Sequence, residues 1–229
     1  MKKFCLFLIC TFILYADGER TTVMATPTVY KVTITNPQFK KADGTYVTFI
    51  SGTYTFDIAS VSPFQEVGTI GAGVVLEPGL YTEFRAEINH AFGLKAAATG
   101  PLGENIHTAT YSASVDITTP EGKVYNNVPL ASSTSGEAAT EQSIPIPTGT
   151  DIEAEMAAHD GELLPNGNIR IHKNITLNIP SSDNFKGVRW SFNVTNCAQF
   201  DQMPPNDPQH PNAWTIILHP PNATFEVVQ

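Results

Sequence analysis

The residues best suited to chemistry lie between His159 and His172. His159-Asp160-Gly161-Glu162 is followed by Asn166, Asn168 and His172, a run offering hard oxygens for calcium or imidazole nitrogens for a transition metal. A divalent cation held by His159, Asp160, Glu162 and His172 is one expectation. The competing expectation is that Asp160-Gly161 and Asn166-Gly167 are turns flanking Leu163 and Leu164, because the ligand spacing of a calcium loop is absent. The six histidines of the chain are dispersed, with no His-x-x-x-His pair and no Cys-x-x-Cys partner.

Glycoside hydrolysis needs two carboxyl groups at a defined separation. Glu83 with Glu87, and Glu153 with Glu155, share strand faces, but an acidic chain supplies such pairs by chance and solvated rows are the expectation. No Gly-x-Ser-x-Gly elbow is present, and Ser135 lies in a polar Ser-Thr-Ser-Gly stretch. Cys197 has no local cysteine-protease signature and reads as a buried, inert thiol. Exposed aromatic rings can stack on sugars; Tyr46, Tyr54, Tyr81, Tyr111 and Trp214 are the candidates, Tyr81 and Trp214 foremost. Trp190 goes to the core by parity. The sum of these readings is a non-enzymatic protein with no catalytic residue and no cofactor beyond a possible cation.

The elements that would carry these residues are strands. Short runs rich in Val, Ile, Thr, Tyr and Phe recur between Gly, Pro, Asn and Asp clusters. From Thr28 to Phe39, Tyr30, Val32 and Ile34 alternate with Lys31, Thr33 and Thr35. From Leu80 to His90, Leu80, Thr82, Phe84, Ala86 and Ile88 oppose Tyr81, Glu83, Arg85, Glu87 and Asn89, and Pro78-Gly79 makes the preceding turn. The mixed-sign row Glu83, Arg85, Glu87 marks a solvent-facing strand.

Ile169, Ile171, Ile175, Leu177 and Ile179 share a face broken by Lys173. Val188, Trp190, Phe192 and Val194 share another. Further strands are expected at 45–50, 52–59, 107–118, 123–129, 144–146, 152–156, 214–218 and 224–228. Three long connections remain: 91–106, 131–143 (polar, read as mobile) and 199–213, whose prolines bar a central strand over 203–211. No fixed-period repeat or nucleotide-binding glycine loop occurs. The expected fold is all-β, an antiparallel β-sandwich of immunoglobulin-like or transthyretin-like type with long loops, formed by residues 26–229 as one domain.

Met1-Lys2-Lys3 precedes an apolar run from Phe4 to Tyr15, the pattern of a secretory signal peptide. The run is shorter than the roughly 20 residues of a spanning helix. Cleavage is open between Ala16, directly after the apolar run, and Ala25, which has Val23 two residues before it; the leader lies within residues 1–25. Cys5 and Cys10 leave with it, so Cys197 has no intramolecular disulfide partner.

The formal charge of −9 becomes more negative on loss of Lys2 and Lys3, which argues against nucleic acid as a partner. A secreted, periplasmic or cell-surface location follows, with no transmembrane segment in the mature chain. Sequons at Asn174, Asn193 and Asn222 are acceptors only in a glycosylating host.

Residues 26–34, Thr-Pro-Thr-Val-Tyr-Lys-Val-Thr-Ile, and 76–85, Leu-Glu-Pro-Gly-Leu-Tyr-Thr-Glu-Phe-Arg, resemble a loose group of uncharacterised exported bacterial proteins. Those have a similar Tyr-Lys-Val-Thr first strand and a Pro-Gly-x-Tyr-Thr turn ahead of an arginine placed as Arg85 is. The ending at Pro220 to Phe225 is also similar. The resemblance covers about a third of the chain and implies export and a sandwich, with no activity. Three functions are therefore carried forward: a binding or interaction module contacting protein or glycan at the surface, a filament or surface-layer subunit assembling through its N-terminal strand, and a carbohydrate-active or metal-dependent hydrolase.

Overall fold

A computed structural model describes residues 4–6, 21–63, 65–70, 74–110, 113–118, 124–146, 153–154, 156–157, 160–181, 185–205, 207, 209–219 and 221–228. The fold is all-β and antiparallel, as the alternation predicts. One layer is an eight-stranded sheet in the order β13 (Gln142–Pro145), β8 (Ala91–Lys95), β3 (Val29–Lys41), β7 (Gly79–Ile88), β15 (Ile169–Ile179) and β14 (Gly161–Leu163), with β4 (Tyr46–Thr48) and β5 (Thr53–Asp57) also paired to β3.

Two smaller sheets face it. One runs β11 (Ser114–Thr118), β12 (Val124–Ala131), β18 (Trp214–Leu218), β17 (Ala198–Gln202) and β2 (Thr22–Ala25). The other runs β1 (Phe4–Leu6), β19 (Asn222–Val228), β16 (Gly187–Asn193) and β6 (Glu66–Ile70). A two-stranded hairpin, β9 (Ala97–Thr99) with β10 (Asn105–His107), projects beside them.

The layers meet through the apolar halves of the alternating strands. Tyr30, Val32 and Ile34 from β3, Leu177 and Ile179 from β15, and Val188, Trp190 and Phe192 from β16 all enter one core. Aromatic rings stitch it: Phe84 of β7 lies edge-on to Trp190 at 5.7 Å, and Phe39 of β3 to Phe185 at 5.8 Å. Burial of such rings supplies most of the drive to close a sandwich. A second cluster, Val115, Ile117, Tyr125, Val128 and Met203, fills the β11–β12 end.

Three expectations need correction. Residues 91–106 are largely strand, because Phe92, Leu94 and Ala96 alternate inward, a period that Gly93 and the run Ala96-Ala97-Ala98 hide. Gly93 permits this packing: a Cβ there would lie 3.0 Å from the Lys31 Cβ on β3. Residues 152–156 were expected as strand, but 153–154 and 156–157 are helical.

Strand parity also slips within two strands. In β3 the buried set passes from Tyr30, Val32 and Ile34 to Pro37 and Phe39, across a register irregularity between Thr35 and Gln38 where Asn36 takes φ 49°. In β7 Leu80 is exposed and Tyr81 buried, the reverse of the expected faces, whereas Phe84 and Ala86 are buried as expected. Facing β-bulges absorb the change, at Lys40/Lys41 on β3 and at Asn174/Leu177 on β15.

Candidate functional site

Strand register assembles a polar face on the outside of the large sheet. Glu83, Arg85 and Glu87 of β7 lie between Gln38 and Lys40 of β3 and Arg170 and His172 of β15. Tyr46 of β4 and Glu162 of β14 extend the row at its two ends. Glu83 is the hub. It accepts from Tyr46 Oη at 2.7 Å and His172 Nδ1 at 2.7 Å, and pairs with Lys40 Nζ at 3.4 Å.

Burial raises the Glu83 carboxyl, but the hydrogen bonds from His172, Tyr46 and Lys40 outweigh it and hold the group below the usual glutamate range. Arg85 sits over the Tyr46 ring, 3.3 Å from its centroid, and donates from Nε to Gln38 Oε1 at 2.7 Å. Arg170 bridges Glu87 at 3.0 Å and Glu162 at 3.2 Å.

This network takes up part of the proposed cation site. With a carboxylate beside it, His172 Nδ1 carries a proton, which leaves Nε2 facing Glu162 Oε2 at 3.8 Å. Asp160 meets His172 through its backbone carbonyl, which accepts the His172 amide at 2.9 Å. His159 lies outside the described residues. Among the described residues, no group of three or more His, Cys, Asp or Glu side chains is placed to hold a metal ion. The Asn166-Gly167 segment is the turn its composition predicts, with Gly167 at φ 83° and its amide donating to Leu164 O at 2.8 Å.

The aromatic platform is corrected in its two foremost members. Tyr81 is 0% and Trp214 2% exposed, so their rings are core and have no face to offer a sugar. The Tyr81 hydroxyl donates to the Glu77 carbonyl at 2.9 Å. Tyr46 is committed to Glu83 and Arg85, Tyr54 is half-buried, and Tyr111 lies outside the described residues.

The loop expected to be mobile is instead fastened at both ends. His107 and Ser132 exchange backbone hydrogen bonds of 2.8 and 2.9 Å, and Thr140 N donates to Thr108 O at 2.8 Å. Buried Thr108 donates its hydroxyl to Thr140 O at 2.7 Å and accepts from Ala96 N at 3.2 Å. Asn105 Nδ2 donates to Glu137 O at 2.8 Å.

Residues 133–141 thus form a strap across the β9–β10 hairpin. The hairpin tip is equally ordered: Gly100 N donates to Glu104 O at 2.8 Å, and Leu102 N to Glu104 Oε2 at 2.9 Å. At its apex Leu102 is 90% exposed. A Pro-Leu-Gly turn in the sequence was the available signal, because leucine is out of place in a tight solvent-facing turn.

A polar cleft of about 510 Å³ opens elsewhere, between the β11–β12 hairpin and the 203–213 connection. Asp116, Asn127, Asp207, Gln209 and His210 line it, with Met203 at its floor. The Asp116 carboxylate accepts from Asn127 N at 3.0 Å, and the Asp207 carboxylate accepts from His210 N at 2.7 Å. Of the connection expected over 199–213, residues 199–202 belong to β17, and the described residues from 203 onward form a folded wall.

Cys197 is buried, and desolvation pushes its thiol up to about 12, so it stays protonated at neutral pH. Ser135 is exposed on the strap. Asn174 and Asn222 are exposed, and Asn193 is half-buried with its side-chain oxygen accepting from Thr195. Among the described residues, no helix is long and apolar enough to cross a membrane. Comparison with protein-family models, with curated proteins and with solved structures gave no match.

Proposed function

We propose that this chain is an exported, non-enzymatic interaction module whose sandwich presents ordered loops to a protein or glycan at the cell surface. The observation that carries the reading is the β9–β10 apex. Buried Thr108 and His107 fix a hairpin tip and a strap that are largely exposed, and the fixed apex displays Leu102 to solvent. A rigid loop binds with less loss of conformational entropy than a mobile one. The polar cleft along 203–213 gives a second ordered recognition surface, suited to the hydroxyls of a glycan.

The filament reading has less support, since β3 would have to leave the middle of its sheet, where it pairs with β7, β8, β4 and β5. The hydrolase reading also has less, since Glu83 and Glu87 are tied to cationic or hydrogen-bonding partners.

The test is light scattering behind size exclusion over a wide concentration range, followed by a glycan array probed with the protein and with Leu102→Asp. A monomer at all concentrations, with array binding weakened by that substitution or by substitutions in the cleft, is expected. Regular filaments would replace the module reading with the subunit one.

A further inference from the structure

The sequence leaves two places where a leader could be cut, and the fold distinguishes them. A cut after Ala25 would delete all of β2, Thr22–Ala25. That strand is part of the sheet: it pairs with β17 in the register Thr22 to Asp201, Val23 to Phe200, Met24 to Gln199 and Ala25 to Ala198. Thr22 donates its hydroxyl to Asp201 Oδ1 at 2.6 Å, and Gln202 N donates to Thr21 O at 2.9 Å. Ala25 is buried and Val23 packs on the main core.

Without β2, β17 becomes an unpaired edge although Ala198 and Phe200 are wholly buried. The cut would also fall directly before exposed Thr26, whose hydroxyl accepts from Asn196 N at 3.2 Å.

We infer that the leader is removed after Ala16, so that the mature protein begins at Asp17 and keeps β2 as its first strand. Ala16 supplies the small residue before the scissile bond, directly after the apolar run, but Leu14 stands two residues ahead of it where Ala25 has Val23, so the β2–β17 pairing and not the peptidase motif carries the choice. The cut spares every residue of β2 and removes β1, Phe4–Leu6, from the outer side of β19, where it pairs with Ala223, Thr224 and Phe225. Processing therefore changes one sheet edge and leaves the other intact. The inference rests on the export reading for the existence of a cut, and on the β2–β17 pairing for its position.

The experiment is to express the full chain in an exporting bacterial host and to determine the intact mass and N-terminal sequence of the released protein. A start at Asp17 is expected, and Asp17→Pro, which places proline directly after the scissile bond, should leave the chain uncut. A start at Thr26, insensitive to Asp17→Pro, would overturn the position while leaving export standing. An uncut, unreleased chain would overturn the export reading itself. Independently of export, chains beginning at Asp17 and at Thr26 can be made in the cytoplasm. The shorter one should melt lower by roughly 5 °C or more and be nicked by protease within 196–202; equal melting and resistance would overturn the inference.

Discussion

His172 on β15 donates from Nδ1 to the Glu83 carboxylate on β7 across 2.7 Å, and Tyr46 reaches the same oxygen from the opposite side at 2.7 Å. Glu83 thus ties β4, β7 and β15 together at one atom. Because its carboxyl is held below the usual range when folded, its contribution to stability is fully present above the unfolded glutamate value. It is lost as pH falls through the lower folded value. The melting temperature should therefore fall in acid below about pH 4.3, and Glu83→Gln should lower it at neutral pH while flattening that part of the acid limb. An unchanged acid limb in Glu83→Gln would show that other carboxylates carry the pH dependence.

The legible part of this structure was its alternation. Tyr30, Val32, Ile34, Trp190 and Phe192 could be assigned to the core because strand parity is strict wherever pairing is regular. Tyr81 was misplaced because register slips move the parity, and a slip leaves almost no mark in the sequence. Asn36-Pro37, an αL-tolerant residue before a residue with no amide, hints at the earlier slip in β3 between Thr35 and Gln38 and not at the one beside Tyr81.

The strap was illegible for a different reason. Its anchors, His107, Thr108 and Thr140, are polar, and only tertiary contact decides whether such a residue is solvated or holds a loop. In the sequence His172 and Glu162 are ligand candidates; the fold places them in an ion-pair row because β14 and β15 pair in a register that sets Glu162 opposite Arg170.

Thr108→Val tests whether the strap depends on one buried hydroxyl. Valine keeps the shape but strands Ala96 N and Thr140 O without their side-chain partner, at about 1–3 kcal/mol. Hydrogen exchange should speed up at the amides of 132–140 before the rest of the protein, and protease should cut there first. If exchange changes evenly over the whole chain, the strap is no separate unit.

Asn36 should behave as a backbone position. Its φ of 49° at the β3 irregularity suits asparagine or glycine and opposes a β-branched side chain. Asn36→Gly is expected within about 1 kcal/mol of the parent in chemical denaturation, whereas Asn36→Val should cost about 1–2 kcal/mol. Equal midpoints for the two variants would mean that the strand can shed the irregularity.

Cys197 should be silent toward thiol reagents in the native state. Its thiol is pushed up to about 12 by burial, so little thiolate exists at pH 8, and the sulfur lies 3.8 Å from the carbonyls of Asn193 and Thr195. Ellman's reagent should react only after denaturant is added, and Cys197→Ala should leave the oligomeric state unchanged. Rapid native labelling, or a dimer sensitive to reductant, would contradict this.

The His107 ring poses an acceptor against an acceptor. Its Nδ1 lies 3.2 Å from the Asn105 carbonyl, which can only accept, and 3.4 Å from Asn105 Nδ2, which can only donate; the shorter contact assigns the ring proton to Nδ1. Nε2 is then a bare lone pair, fully buried and without a hydrogen-bond partner, 3.6 Å from Glu137 Oε2 on the strap.

The other carboxylates near the hairpin are engaged elsewhere, Glu104 with the Leu102 amide and Glu141 with Lys31. Glu137→Gln would replace an acceptor by an amide donor at the same length, and a neutral hydrogen bond to Nε2 contributes about 1 kcal/mol. The substitution should slow exchange at the 132–140 amides, and Glu137→Ala should not. If both substitutions loosen the strap equally, the carboxylate already holds the strap through Nε2, and His107→Gln should then loosen it by the same amount.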